Sequence, residues 1–279
     1  MWIISFWVFP VISASMWIAM LGAMLGTWRA QGSPIYVSME PGQTIAYISD
    51  VGAQGLKPLF IAGSAVTVVF LDLSFISERW LRHSGQLVPN KGWLDKTCAI
   101  GSILFSIAGA AGLILLAIFD TVNHSRLHHG FLAMFLVAYL VSAILICIEY
   151  LRIGILYRSH HRVLLVSFGI KVFFIVVEIA LAIGFGVCGW HQPHRRNQAA
   201  VLEWLIALIF TFYVLSFIID LLPSVRTRNH VPQGEKRMGY AMGSVHSEQP
   251  EVVCEAPLTY DSAGPNANME TTFYRGARY

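Results

Sequence analysis

Charge is what this chain has least of. Only 13% of its 279 residues are Asp, Glu, Lys or Arg, while 56% are hydrophobic. An ordinary soluble domain carries about 25% charged residues, so the deficit excludes a large solvated surface. The net charge of +3 is too small to suggest a nucleic-acid partner. Cysteine is scarce as well. Cys98, Cys147, Cys188 and Cys254 show no C-x-x-C spacing, which gives no sign of a disulfide framework or a zinc site. They are expected to act as small apolar groups. No H-E-x-x-H or comparable metal motif is present. No Lys or Arg precedes the first apolar run, which is also longer than a cleaved signal segment, so it is read as a retained first helix.

What the chain does have is length in its apolar runs. Six can be drawn, at about 2–28, 58–77, 98–119, 131–151, 163–187 and 200–222. Each has about 20 residues or more, enough to cross roughly 30 Å of hydrocarbon. Backbone polar groups inside a bilayer must be satisfied within the segment, so each run is expected to be a helix. The predicted fold is therefore all-α: a polytopic membrane domain over 1–222 with six transmembrane helices. Gly22 and Gly26 in the first run, and Gly101, Gly109 and Gly112 in the third, suit close helix packing.

Orientation follows from Lys and Arg in the connections. One side carries Arg79, Arg82, Lys91, Lys96, Arg152, Arg158, Arg162, Arg226, Arg228, Lys236 and Arg237. The other carries Arg29, Lys57, Arg126, Arg195 and Arg196. Eleven against five predicts both termini in the cytoplasm. The longest connection, 29–57, is rich in Gly and Pro and is expected to form an ordered cap, with a short helix or an extended piece over 45–50. Residues 223–279 mix Pro, Gly, Ser, Asn, Glu and Gln with few aliphatics. Such a segment buries too little apolar surface to offset its chain entropy and is expected to be a disordered tail. Its basic start, Arg226, Arg228, Lys236 and Arg237, is either a topology signal or a contact for anionic lipid at about 1 kcal/mol per basic residue.

Two polar constellations stand out. Asp50, Asp120, His124, His128 and Glu203 are all assigned to the non-cytoplasmic side. Asp120, His124 and His128 are spaced i, i+4, i+8 and share a face if the third helix continues past Asp120. The five residues form a hydrogen-bonded cap, a lipid-headgroup site, or an acid–base or metal centre. The second set, Asp72, Lys171 and Glu178, lies inside apolar runs, where ionisable groups are costly and often mark a functional path. Asp72 and Lys171 fall at matching depth and are expected to pair, which lowers the cost of burying either. Glu178 has no evident charged partner, and a neutral carboxyl is expected there. Asn123-His-Ser125 matches the glycosylation sequon but lies hard against the membrane. His191 and His194 are expected to be solvated.

Tyr47-Ile-Ser-Asp50-Val-Gly52, Phe119-Asp120-Thr121 followed by His124 and His128, and Glu203-Trp204 occur in this order at helix boundaries. They resemble the DRAM/FRAG/SFK family: damage-regulated autophagy modulators, FRAG-type GPI-lipid remodelling factors, and the fungal suppressor-of-four-kinase protein. The resemblance covers roughly residues 1–222 and is nearest the fungal branch, which also places a long polar tail after the sixth helix. It implies six spans with cytoplasmic termini and a role in membrane lipid homeostasis. The fungal branch implies a plasma-membrane protein that supports phosphatidylinositol 4-kinase signalling and phospholipid asymmetry. The autophagy branch implies lysosomes, and the GPI branch the Golgi. The resemblance carries over no catalytic residue.

The expectation is thus a non-enzymatic membrane protein without metal or cofactor, contacting membrane lipids and a cytoplasmic lipid kinase complex. A lipid-modifying enzyme using Asp120, His124, His128 and Glu203, and a lipid transporter using Asp72, Lys171 and Glu178, are the alternatives. No inverted repeat is visible, which weighs against the transporter.

Overall fold

The computed structural model describes residues 5–84, 87, 92–156, 162–190 and 195–222. Seven helices occupy them: α1 (Val8–Ala30), α2 (Ile48–Gly52), α3 (Lys57–His83), α4 (Trp93–Ile118), α5 (Ser125–Leu156), α6 (Arg162–Trp190) and α7 (Arg196–Leu221). No strand occurs among the described residues. All but α2 are long and apolar enough to cross a membrane, giving the six spans that hydropathy foretells. Arg226, Arg228, Lys236 and Arg237, with the rest of the tail, lie outside the described residues, as do His191 and His194.

The spans close into a ring. α1 packs on α3, α3 on α4, α4 on α5, α5 on α6, α6 on α7, and α7 back on α1. The α4–α5 contact is closest because small residues allow it. A Cβ built at Gly112 would stand 2.8 Å from the backbone nitrogen of Phe135, and one at Gly109 would stand 2.5 Å from the Tyr139 ring. Only glycine fits where the two backbones approach so nearly. Gly22 and Gly26 have open space beside them, so the expected close packing there is not found.

An aromatic column fills the middle of the ring. Trp17 meets Phe210 edge-on at 5.8 Å, Phe210 stacks on Tyr213, and Tyr213 meets Phe217 at 5.3 Å. Phe217 in turn meets Phe75 at 4.9 Å. These rings belong to α1, α3 and α7 and tie the three helices together with offset and edge contacts. α6 is the peripheral member. Only 11% of its spanning window is buried, against 33–44% in the other five. At one end of the ring lies α2 with the 31–47 connection; this is called the α2 end below.

Candidate functional site

The α2 end is built by side chains that serve backbone donors. Asp50, 2% exposed, accepts the Tyr47 N–H at 3.0 Å and so caps the helix that it belongs to. Glu203 of α7 accepts the Ile48 N–H at 2.8 Å, and Asn197 Oδ1 accepts the Thr44 and Ile45 N–H groups at 2.7 and 3.0 Å. The Trp204 indole donates to the Ala46 carbonyl, and the Tyr47 hydroxyl donates to the Arg196 carbonyl. Four side chains therefore strap residues 44–48 across the start of α7. Burial pushes the Tyr47 phenol above its ordinary range.

The α4–α5 turn makes a second group. α4 ends at Ile118, so Asp120, His124 and His128 do not share one helical face as their spacing suggested. The chain turns at Asp120, and α5 begins at Ser125. Asp120 pairs with Lys57 of α3 at 2.6 Å and accepts the Asn123 backbone N–H at 2.7 Å. The Lys57 ammonium, aided by Asn123, overrides desolvation and holds the Asp120 carboxyl well below the usual carboxylate range. His128 is buried, with Nδ1 2.9 Å from both the Leu116 and the Phe119 carbonyl oxygens. Both acceptors are carbonyls, so Nδ1 carries the proton. His124 is exposed, its ring edge-on to Phe119 at 5.4 Å.

The five candidate residues thus fall into two groups, Asp50 with Glu203 and Asp120 with His128, while His124 faces outward. Among the described residues no hydrogen bond or ion pair links the two groups. Nor does any set of three or more His, Cys, Asp or Glu side chains there have the placement to hold a metal ion.

The opposite end of the ring holds a buried ionic network. Arg82 donates to Glu78 through Nε at 3.0 Å and Nη2 at 2.7 Å, and Arg79 pairs with Glu149. The Tyr150 hydroxyl donates to Glu78 at 2.5 Å, while the Arg82 guanidinium and Lys171 ammonium stand 5.1 and 5.3 Å from its ring centroid. Arg152 pairs with Asp95 at 2.7 Å. Glu78, Asp95, Glu149 and Asp220 face Arg79, Arg82, Arg152 and Lys171, four charges of each sign.

The expected Asp72–Lys171 pair is not formed. Lys171, 0% exposed, pairs instead with Asp220 of α7 at 2.5 Å and sits 4.1 Å over the Phe217 ring. The reason is the ring order: α3 packs chiefly on α1 and α4, whereas α6 packs on α5 and α7. Asp72 faces Ser106 of α4, and its Oδ1 is buried without a partner. The sequence pattern marks Arg79, Arg82 and Arg152 only as topology signals, and Glu78, Asp95, Glu149 and Asp220 were passed over. The i, i+4 spacing of Glu78 and Arg82 was the available clue.

Between the two ends lies a cavity of about 540 Å³, within the range of small-molecule sites. Its walls come mainly from α5, α6 and α7 and are overwhelmingly apolar. Val137 of α5 and Ile183 of α6 both line it and are 59% and 62% exposed, so it opens sideways between these two helices. Trp17, Tyr139, Phe210 and Tyr213 form its inner wall. Two carboxyls also line it: Glu203 towards the α2 end, and Glu178 deeper. Glu178 Oε1 and the Tyr139 hydroxyl are both buried without a hydrogen-bond partner.

Residues 5–224 match the family described as Frag1/DRAM/Sfk1/Cwh43P N-terminal domain. The chain is 34% identical to Protein sfk1 of Schizosaccharomyces pombe over 224 residues, which is 80% of this chain and 66% of that one. It therefore spans slightly under two thirds of that relative's length. It is 26% identical to Protein SFK1 of Saccharomyces cerevisiae over 316 aligned positions, 87% of this chain and 88% of that one. No solved structure matches. With its six apolar spans and a family match over most of its length, the chain is a multi-pass membrane protein that belongs to the Frag1/DRAM/Sfk1 family, on its fungal Sfk1 side.

Proposed function

We propose that this protein engages membrane lipid through the slot between α5 and α6, and that by doing so it supports phosphatidylinositol 4-kinase signalling or phospholipid asymmetry at the plasma membrane. The observation that carries the reading is the apolar cavity opening sideways at membrane depth. In a bilayer such an opening faces acyl chains, and a chain-like ligand enters it without leaving hydrocarbon. The fungal relatives support the choice of branch, with the lipid role that the resemblance implies.

In this reading both termini are cytoplasmic, in keeping with eleven cations against five in the connections. Reporter tags after Gly42 and after Gly243 then label from opposite sides; labelling from the same side removes the topology. The α2 end closes the non-cytoplasmic face, with Asp50, Asp120, His128 and Glu203 holding its loops and His124 turned towards headgroups. Arg226, Arg228, Lys236 and Arg237 contact anionic lipid on the inner leaflet, where a lipid kinase complex is the partner. The protein acts by binding and placement rather than by catalysis.

Filling the cavity tests the reading. Ala182→Phe puts a ring into the slot from the α6 side. In cells lacking the protein, this variant, expressed and localised as the wild type, is expected to fail in restoring plasma-membrane phosphatidylinositol 4-phosphate or the retention of aminophospholipids on the inner leaflet. Full restoration of both by Ala182→Phe overturns the proposal.

A further inference from the structure

The polar groups inside the cavity say more than that it holds lipid. Glu178 lies 11 residues from Gly189, the α2-side end of its spanning segment, which at 1.5 Å per residue is about 16 Å along α6. Nothing else on that stretch of α6, residues 179–188, is charged. The carboxyl has one oxygen buried without a partner, and the Tyr139 hydroxyl, on a residue of the same cavity's inner wall, is unpartnered as well. Buried polar groups nearly always have partners, and an orphaned one in an apolar wall is costly. Lys171 belongs to the same helix but is committed to Asp220, Ser167 and Ser216, so it does not serve Glu178.

We infer that the cavity selects an uncharged, long-chain lipid bearing a hydroxyl group, with Glu178 as the residue that anchors that hydroxyl. The inference rests on the lipid-engaging reading above and specifies its ligand.

Three observations restrict the headgroup. The first is depth. A phosphodiester drawn about 16 Å inward would lose its hydration with no cation to replace it, because the described cavity wall contains no Lys or Arg. The second is charge. The carboxyls in the wall, Glu178 and Glu203, offer a negative headgroup no attraction, and the one imidazole there, His129, stands near the start of α5 at the α2 end and not at the depth of Glu178. The third is valence. A carboxyl oxygen accepts from a hydroxyl, and a protonated carboxyl also donates to it, so a hydroxyl satisfies Glu178 in either state. A hydrocarbon chain alone leaves the orphaned oxygen as it is. Glu203 does not compete for this role, since its Oε2 is occupied by the Ile48 N–H.

Diacylglycerols and N-acyl amino alcohols both present this chemistry, and they are separated by probe. The purified full chain in phosphatidylcholine nanodiscs is exposed to photoactivatable, alkyne-tagged diacylglycerol, ceramide and phosphatidylcholine of matched chain length. Labelling is mapped to peptides of α5 and α6. At least one of the two hydroxyl lipids is expected to label the wild type about tenfold more strongly than phosphatidylcholine, as one hydrogen bond to a carboxyl allows. Glu178→Leu is expected to erase that preference while leaving chain-dependent labelling. Glu178→Gln, which keeps an acceptor and a donor, is expected to retain most of it. Ala182→Phe reports on the cavity separately. If it leaves labelling of α5 and α6 by every probe unchanged, the lipid-engaging reading itself fails. If it abolishes labelling, but phosphatidylcholine labels as well as the hydroxyl lipids or Glu178→Leu keeps the preference, the cavity stands and the assignment to Glu178 is overturned.

Discussion

Apart from the Lys57–Asp120 pair at the α4–α5 turn, the two ends of the helix ring hold their buried acceptors by different means. At the α2 end, Glu203 and Asn197 are acceptors served by the backbone N–H groups of Ile48, Thr44 and Ile45. At the other end, Glu78 is served by Arg82 of its own helix, Glu149 of α5 by Arg79 of α3, and Asp220 of α7 by Lys171 of the adjacent α6. Acceptors paired with backbone fix the course of a loop. Acceptors paired with long cationic side chains fix one helix against another. The α2 end is therefore a fastened lid, and the opposite end is a lock between α3, α5, α6 and α7.

That contrast predicts different costs of mutation. The largest belongs to the lock. Lys171→Met leaves Asp220 buried without its cation and is expected to cost about 3–5 kcal/mol. Lys171→Met with Asp220→Leu removes both charges and is expected to recover most of that loss. Thermal unfolding in detergent checks it. A double variant no more stable than the single one would mean that the network is more than paired charges.

The lid should be more forgiving. Glu203→Ala strands the Ile48 N–H and is expected to cost about 1–3 kcal/mol. Its signature is local, namely faster hydrogen exchange over 44–52 with little change in α3 or α6. Uniformly faster exchange would show that lid and lock are one cooperative unit.

The smallest effect is the acid dependence of the α4–α5 turn. Asp120 has its carboxyl pKa lowered by Lys57, so the pair's stabilisation is complete above the ordinary carboxyl value of about 3.9 and is lost as pH falls below it. Asp120→Asn is expected to remove this contribution and to flatten the fall in melting temperature below about pH 4. An unchanged acid limb in the variant would assign it to other carboxyls.

The spans were legible in the sequence because hydrocarbon admits few solutions for a backbone. Their ends were not. The apolar run at 58–77 continues as helix to His83, since Glu78 and Arg82 are paired and buried and Arg79 is paired and half-buried rather than solvated. α7 likewise begins at Arg196, four residues ahead of its apolar run, with Asn197 engaged by the 44–45 backbone. Hydropathy scores a charge as an ending whether or not it has a partner. The partner of Lys171 was also beyond reach, because helix order round the ring is decided by close packing such as that at Gly109 and Gly112. Depth matching alone cannot tell Asp72 from Asp220. The cavity was the least legible feature. It is a gap between α5, α6 and α7, and only Glu178 hinted at it from the sequence, as a carboxyl with no evident mate.

The account stands on that gap being a lipid site. A cryo-EM map of the full chain in lipid nanodiscs tests it most directly. Elongated density entering between Val137 and Ile183 and ending at Glu178 is the predicted result. A collapsed slot, with α6 packed against α5 along its whole length, would contradict it.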